Sequence, residues 1–205
     1  MRSIFPRVIS FIFAFFIATQ TIAQEAPDAL LQRVTQEMIS ALRSNDKDLR
    51  EHPTHIYKII DQILVPHIDW TTMSRWVIGR PAWEKATEAQ RNNFSKEFKD
   101  LLIRTYASTL RAYNNQTIEY LPIRGGTQGK SRVQVASLIR ESGREPIKVT
   151  YRLTNHGGKW LVYDISIEGV SLLKGFQSQF AQELQQKGID AVIQRLHQHN
   201  EKPLR

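Results

Sequence analysis

Residues 146–154 read PIKVTYRLT, and apolar and polar side chains alternate along them with the two-residue period of a β-strand. The apolar and aromatic positions share one face of that strand: Ile147, Val149, Tyr151 and Leu153. The positions between them are polar: Lys148, Thr150 and Arg152. The stretch therefore predicts a sheet with one basic, solvated face and one apolar face that other elements must cover.

Three more segments with strand-like patterns flank this stretch, at residues 117–123, 132–140 and 160–167. In the second of them Val133, Val135 and Ile139 share one face. The connections are short and contain glycine, which is typical of turns that join antiparallel neighbours. We therefore expect a four-stranded antiparallel meander over residues 117–167.

The segments outside the sheet have helical periodicity, with apolar residues three and four positions apart. Helices are predicted over 27–43, 53–64 and 70–78, and a long helix over 88–113 begins at a capping box formed by Thr87 and Gln90. Asp69 and Ser171 are expected to cap the helices that follow them, and Gly188 is expected to divide the terminal helices at 171–199. The fold class is thus α+β, with amphipathic helices covering one face of the sheet and a frayed tail at 201–205.

The first 23 residues have the features of a secretory signal peptide. Arg2 and Arg7 precede an apolar run at 8–18, and Thr21-Ile22-Ala23 provides small residues for a peptidase. An uncleaved membrane anchor is the alternative, but the apolar run is short for a membrane span. We expect cleavage before Gln24, a periplasmic mature protein, and one domain over residues 24–200.

Composition excludes several kinds of chemistry. The chain contains no cysteine, so disulfides, thiol nucleophiles and Cys-ligated zinc are excluded. It has 28 Lys and Arg against 20 Asp and Glu, and the net charge stays at about +6 without the leader. For an exported protein, this excess favours anionic lipid, cell wall or an acidic partner over nucleic acid. An ordinary solvated surface rich in Lys and Arg is the alternative.

The sequence contains no recognisable catalytic motif and no plausible set of metal ligands. His52 and His55 could face the same way, but no acidic residue completes a site with them. Asp164 lies in the middle of a predicted strand, on the face shared by Trp160 and Val162. It could act as a general base in a small helix-on-sheet enzyme, or it could hold neighbouring groups through hydrogen bonds. We favour the structural role, so we expect no enzymatic activity, no catalytic residue and no metal site.

Two long blocks of sequence resemble a known family. The first contains SRWVIGRPAW at 74–83, ATEAQRNNF at 86–94 and FKDLLIRTYA at 98–107. The second is WLVYDISIEGVSL at 160–172. Both resemble the MlaC family, or toluene-tolerance family, of periplasmic phospholipid-binding proteins, as does the order of leader, helices, meander and terminal helices. The chain departs from the family pattern at 175–177, where Gly-Phe-Gln stands in place of Asn-Tyr-Arg.

The resemblance implies a monomeric carrier that holds phospholipid as cargo, uses no cofactor and helps to maintain the lipid asymmetry of an outer membrane. Its implied partners are an outer-membrane lipoprotein complex and an inner-membrane ABC transporter with an MCE-type subunit. The facing of the strands and the family fold together suggest an apolar pocket between helices and sheet. Its expected wall is Ile103, Tyr106, Leu110, Val133, Val135, Ile147, Val149, Tyr151 and Leu153, with Phe176 and Phe180 at one end. An exported envelope adaptor with a filled core and an enzyme using Asp164 remain the alternatives.

Overall fold

The computed structural model describes residues 25–113 and 116–203. This part of the chain has seven α-helices and five strands, and the sheet lies between the first helices and the terminal helix, as predicted. The helices are α1 (Pro27–Ser44), α2 (Asp46–Glu51), α3 (Ile56–Ile63), α4 (Trp70–Ile78), α5 (Arg80–Lys85), α6 (Glu88–Arg111) and α7 (Leu172–Asn200). The strands are β1 (Thr117–Tyr120), β2 (Arg132–Arg140), β3 (Ile147–His156), β4 (Lys159–Ile167) and β5 (Val170–Ser171). The predicted signal peptide lies outside the described residues.

The strands form one antiparallel sheet in the order β1-β2-β3-β4-β5, which confirms the predicted meander. The prediction of four strands is wrong by one. After the turn at Glu168 and Gly169 the chain pairs with β4 once more, through Ser166 opposite Ser171 and Ile167 opposite Val170. This fifth strand has only two residues, too few to show an alternating pattern in the sequence.

A β-bulge interrupts the pairing of β3 with β4. Leu153 is opposite Val162 and Arg152 is opposite Asp164, so Tyr163 is the extra residue. One extra residue changes the face on which every following side chain lies. Asp164 therefore lies on the sheet face of Arg152, and its predicted position beside Trp160 and Val162 is wrong.

The helix caps follow the sequence closely. Asp69 accepts a hydrogen bond from the Thr72 amide at the start of α4, and Thr87 and Gln90 form the full capping box of α6. Ser171 caps α7, and α7 is kinked at Gly188 as expected. Two helices were missed, because residues 46–51 form α2 where we expected a break and residues 80–85 form α5, where we predicted no helix. The helix predicted from Pro53 begins instead as a short 3₁₀ turn before α3.

The buried side chains fall into three clusters. The sheet cluster is Leu30, Leu31, Val34, Val133, Val135, Leu153, Trp160 and Val162. The helix cluster is Met38, Leu42, Leu49, Ile56, Ile60 and Ala107. The aromatic cluster joins α4, α6 and α7 to the bulge residue of β4, and its largest members are Phe94, Phe98, Tyr163 and Phe180. None of the described helices combines the length with the hydropathy that a membrane span requires.

Candidate functional site

The candidate site is the seam between the sheet cluster and the helix cluster. Ile63 and Leu64, at the end of α3, pack against both clusters and mark where the two meet. Other apolar and aromatic side chains at the edges of the clusters are only partly buried: Tyr57, Ile59, Val65, Ile103, Leu110, Tyr113, Tyr120, Ile123, Tyr151 and Ile165. An apolar ligand can bind where apolar side chains face the interior and are not fully covered by other parts of the protein.

Six of the eleven predicted pocket residues belong to these two clusters or pack at their edges. Val133, Val135 and Leu153 are buried in the sheet cluster, and Tyr151 packs at its edge. Ile103 and Leu110, both on α6, pack at the edge of the helix cluster. The alternation in β2 and β3 thus places the sheet residues in the sheet cluster, and α6 contributes two residues to the edge of the helix cluster.

Five predicted pocket residues lie in other surroundings. Val149 is 4% exposed and lies opposite Ile167 in the sheet. Tyr106 is half-buried, and burial raises the pKa of its hydroxyl. Ile147, near the end of the sheet, is 46% exposed.

The remaining two, Phe176 and Phe180, pack with the aromatic cluster and not at the seam. The Phe176 ring meets Phe98 edge-on with centroids 5.2 Å apart. Phe180 is fully buried and meets Phe94 edge-on at 6.2 Å. The periodicity of the last helix gave its apolar face correctly, but it carried no information on which cluster that face joins.

The Tyr120 hydroxyl and the Thr35 hydroxyl that it contacts, on the sheet side of the seam, were not predicted from the sequence. The Tyr120 hydroxyl lies 2.6 Å from Thr35 Oγ1 on α1 and donates to the Leu31 carbonyl at 3.2 Å. Burial raises the pKa values of the Tyr120 and Tyr151 hydroxyls well above the ordinary range, so both stay neutral. The signal for Tyr120 was the alternation along β1, whose even-numbered residues face inward.

The Asp164 carboxylate is fully buried, and each of its oxygens accepts a hydrogen bond. Oδ2 accepts from Arg152 Nη1 at 2.9 Å and from Ser171 Oγ at 2.8 Å, and Oδ1 accepts from the Leu173 amide at 3.3 Å. Asp164 therefore fastens β4 to the first turn of α7, which is the structural role that we favoured. Arg152 lies on the basic face as expected and is 40% exposed, and its guanidinium also compensates the buried charge of Asp164.

His52 and His55, which could face the same way, lie side by side on the surface. The His52 and His55 rings are 4.9 Å apart, and His55 Nδ1 lies 2.7 Å from Asp48 Oδ2 on an exposed surface. Within residues 25–113 and 116–203, no three His, Asp or Glu side chains form a group that could hold a metal ion.

Comparisons with known proteins agree on one family. The model of the MlaC protein family matches residues 32–198. The toluene tolerance protein ttg2D of Pseudomonas putida is 31% identical over 170 residues, which cover 83% of this chain and 78% of that protein. The intermembrane phospholipid transport system binding protein MlaC of Haemophilus influenzae is 28% identical over 202 residues, covering 96% and 93%.

A solved structure extends the likeness to three dimensions. It is the phospholipid-binding protein from Ralstonia solanacearum, in complex with a phospholipid. The two structures superpose with a TM-score of 0.75 at 32% sequence identity, over 87% of this chain and 96% of that one.

Proposed function

The chain belongs to the MlaC protein family, and from that premise we propose that it is a phospholipid carrier of the periplasm. The observation that carries the proposal is its likeness, over most of both chains, to a structure that contains a bound phospholipid. The seam between the sheet and helix clusters is where we expect the acyl chains to lie. Its apolar side chains come from both layers of the fold, as the wall of an enclosed apolar ligand must.

The physical need for such a carrier is large. Exposing an acyl chain of about sixteen carbons to water costs roughly 12 kcal/mol, at about 0.8 kcal/mol per CH₂. Phospholipid therefore crosses an aqueous compartment only if something shields its chains. The shield itself needs neither a nucleotide nor a metal ion. It needs only an apolar surface that the acyl chains can contact in place of water.

We further propose that the carrier exchanges phospholipid with an outer-membrane lipoprotein complex and an inner-membrane ABC transporter with an MCE-type subunit. In this role it would help to maintain the lipid asymmetry of the outer membrane. Support comes from the name of the Haemophilus relative, which assigns that protein to an intermembrane phospholipid transport system. The signal peptide predicted at residues 1–23 fits the same compartment.

Mass spectrometry of an organic extract of the purified protein tests the proposal directly. We expect phospholipid in near-stoichiometric amount after size-exclusion chromatography. A protein that yields no phospholipid, and takes none from labelled vesicles, would contradict the carrier and favour an adaptor with a filled core.

A matched pair of substitutions on α6 tests the location. Ile103 is partly buried at the seam, so Ile103→Glu should sharply reduce the bound phospholipid, because a carboxylate is costly against acyl chains. Thr109, on the same helix, is exposed, and Thr109→Glu should leave the lipid content unchanged. Circular dichroism shows whether both variants are folded. Equal lipid content in two folded variants would place the acyl chains elsewhere.

A further inference from the structure

Trp76 is a large apolar side chain that the fold leaves outside its clusters. It lies on α4 and is 49% exposed. Its backbone is fixed, because the Trp76 carbonyl accepts a hydrogen bond from Gln177 Nε2 on α7 at 3.1 Å. The indole is therefore presented to solvent from a rigid junction of two helices.

Two clefts meet at Trp76, and cationic side chains line both. The first has a volume of about 950 Å³ and contains Arg132, Arg152 and Lys174, with Val170, which is 70% exposed, at its rim. The second has a volume of about 580 Å³ and contains Arg75, Arg80 and Arg91. The Trp76 surface, as we name it, consists of Trp76, Val170 and these six cations.

The Trp76 surface has an excess of positive charge. Two carboxylates line its clefts, Asp164 and Glu84, and both are already engaged, by Arg152 and by Arg80. In the described part of the chain no ion pair engages the other four cations: Arg75, Arg91, Arg132 and Lys174. Arg91 and Arg132 lie over the Trp83 and Tyr163 rings, at 5.4 Å and 5.8 Å. These contacts do not neutralise the two guanidinium groups, so all four charges are available to an anionic partner.

We propose that the Trp76 surface docks the protein onto the surface of an anionic phospholipid bilayer. Tryptophan is enriched at the headgroup level of membranes, and each cation near an anionic membrane adds to the electrostatic attraction. Arg and Trp are also enriched at protein interfaces, so the test below includes an acidic protein partner as an outcome. In the Trp76 surface, cations surround the exposed indole. A bilayer can take the ring into its headgroup region and offers many phosphates to the cations.

The Trp76 surface is separate from the seam. Arg132 alternates with Val133 along β2, so it lies on the sheet face opposite the sheet cluster. Docking and cargo binding therefore use opposite faces of the sheet. The inference does not depend on the proposed carrier function, and either can fail without the other.

Co-sedimentation of the full protein with vesicles tests the inference. At low ionic strength we expect binding to vesicles of phosphatidylcholine with phosphatidylglycerol, and little binding to phosphatidylcholine alone. Arg132→Glu combined with Lys174→Glu should weaken binding at least about tenfold. Trp76→Ser should weaken it severalfold.

The matched control is Lys47→Glu combined with Lys58→Glu, an equal charge change at exposed positions on α2 and α3. It should retain most of the binding. Equal losses in both double variants, or equal binding to neutral and anionic vesicles, would overturn the proposal. Binding to polyglutamate without binding to anionic vesicles would also overturn it, in favour of an acidic protein partner. Extracted phospholipid, measured on the same samples, should stay at the wild-type level.

Discussion

Glu97 and His197 are one hundred residues apart in sequence, yet His197 Nδ1 lies 3.1 Å from Glu97 Oε1. Glu97 is on α6 and is 6% exposed, whereas His197 is near the end of α7. The Asn200 amide donates to the other carboxylate oxygen at 2.8 Å, and Lys96 Nζ lies 3.1 Å from Oε1. A single buried carboxylate thus fastens the last turn of the chain to its longest uninterrupted helix.

This carboxylate should make the protein less stable in acid. Burial alone would raise the pKa of Glu97, but the hydrogen bonds from Asn200, Lys96 and His197 outweigh burial and hold that pKa below its ordinary value of 4.5. A lowered folded-state pKa means that the stabilisation is complete above the unfolded-state pKa and is lost as pH falls through the folded-state value. The melting temperature should therefore fall as the pH is lowered from about 5 to about 3.

The Glu97→Gln variant provides the comparison. It should melt at a lower temperature than wild type at neutral pH, and the gap should narrow in acid because the amide does not titrate. Thermal unfolding followed by circular dichroism over the same pH range measures both. A gap that stays constant down to about pH 3 would show that Glu97 contributes nothing to the acid sensitivity.

Removing Arg152 should destabilise the fold much more than removing a comparable surface arginine. Arg152→Ala leaves the buried Asp164 carboxylate without its cationic partner and should cost roughly 3 kcal/mol. The control is Arg140→Ala, since Arg140 Nε also lies 2.9 Å from a carboxylate, that of Glu119, but that pair is half exposed. The control should cost less than about 1 kcal/mol. Urea unfolding measures both, and equal losses would contradict a structural role for Asp164.

Two glycines of α7 should respond to alanine in opposite directions. Gly188 has φ +79° and ψ 179°, a conformation that essentially only glycine adopts, so Gly188→Ala should cost about 1–3 kcal/mol. No atom lies within 4 Å of the added Cβ at either glycine, so backbone conformation alone decides the result. Gly175 lies in the helix without a positive φ, and Gly175→Ala should stabilise by about 0.5–1 kcal/mol. Chemical denaturation gives both values.

The leader should be absent from the mature protein. The positive start, the apolar run and the small residues at 21–23 predict cleavage before Gln24. The intact mass of protein released from the periplasm measures this. A mass that retains residues 1–23, with the protein in the membrane fraction, would contradict the predicted compartment.

Local chemistry was the most predictable part of the fold. The caps at Asp69, Thr87 and Ser171 each depend on side chains within three residues of one another, so the sequence displays them directly. The alternation in β2 and β3 is equally direct, because facing follows from a period of two. These signals gave the fold class and the sheet residues of the predicted pocket that lie in the sheet cluster.

Relations between distant elements were less predictable. The bulge adds a single residue, Tyr163, to β4. The order of apolar and polar side chains in β4 is compatible with a strand that has the bulge and with one that lacks it, so the sequence does not reveal it. Because of that residue, Asp164 lies on the sheet face of Arg152. The two side chains therefore have a structural role that the sequence pattern did not indicate. Likewise, periodicity showed that Phe176 and Phe180 face inward, but only the packing of α7 against α6 shows that they join the aromatic cluster.

The division of the core into three clusters has a thermodynamic consequence for a protein that carries lipid. If the acyl chains lie at the seam, as we propose, the bound phospholipid covers its partly buried apolar side chains and so contributes to the folding equilibrium. A ligand that binds the folded chain but not the unfolded one raises the apparent stability with the logarithm of its free concentration. The melting temperature would then report how much of the protein holds lipid, because the lipid-free protein would be the less stable form. Transfer of the lipid to an acceptor membrane would lose this stabilisation of the fold.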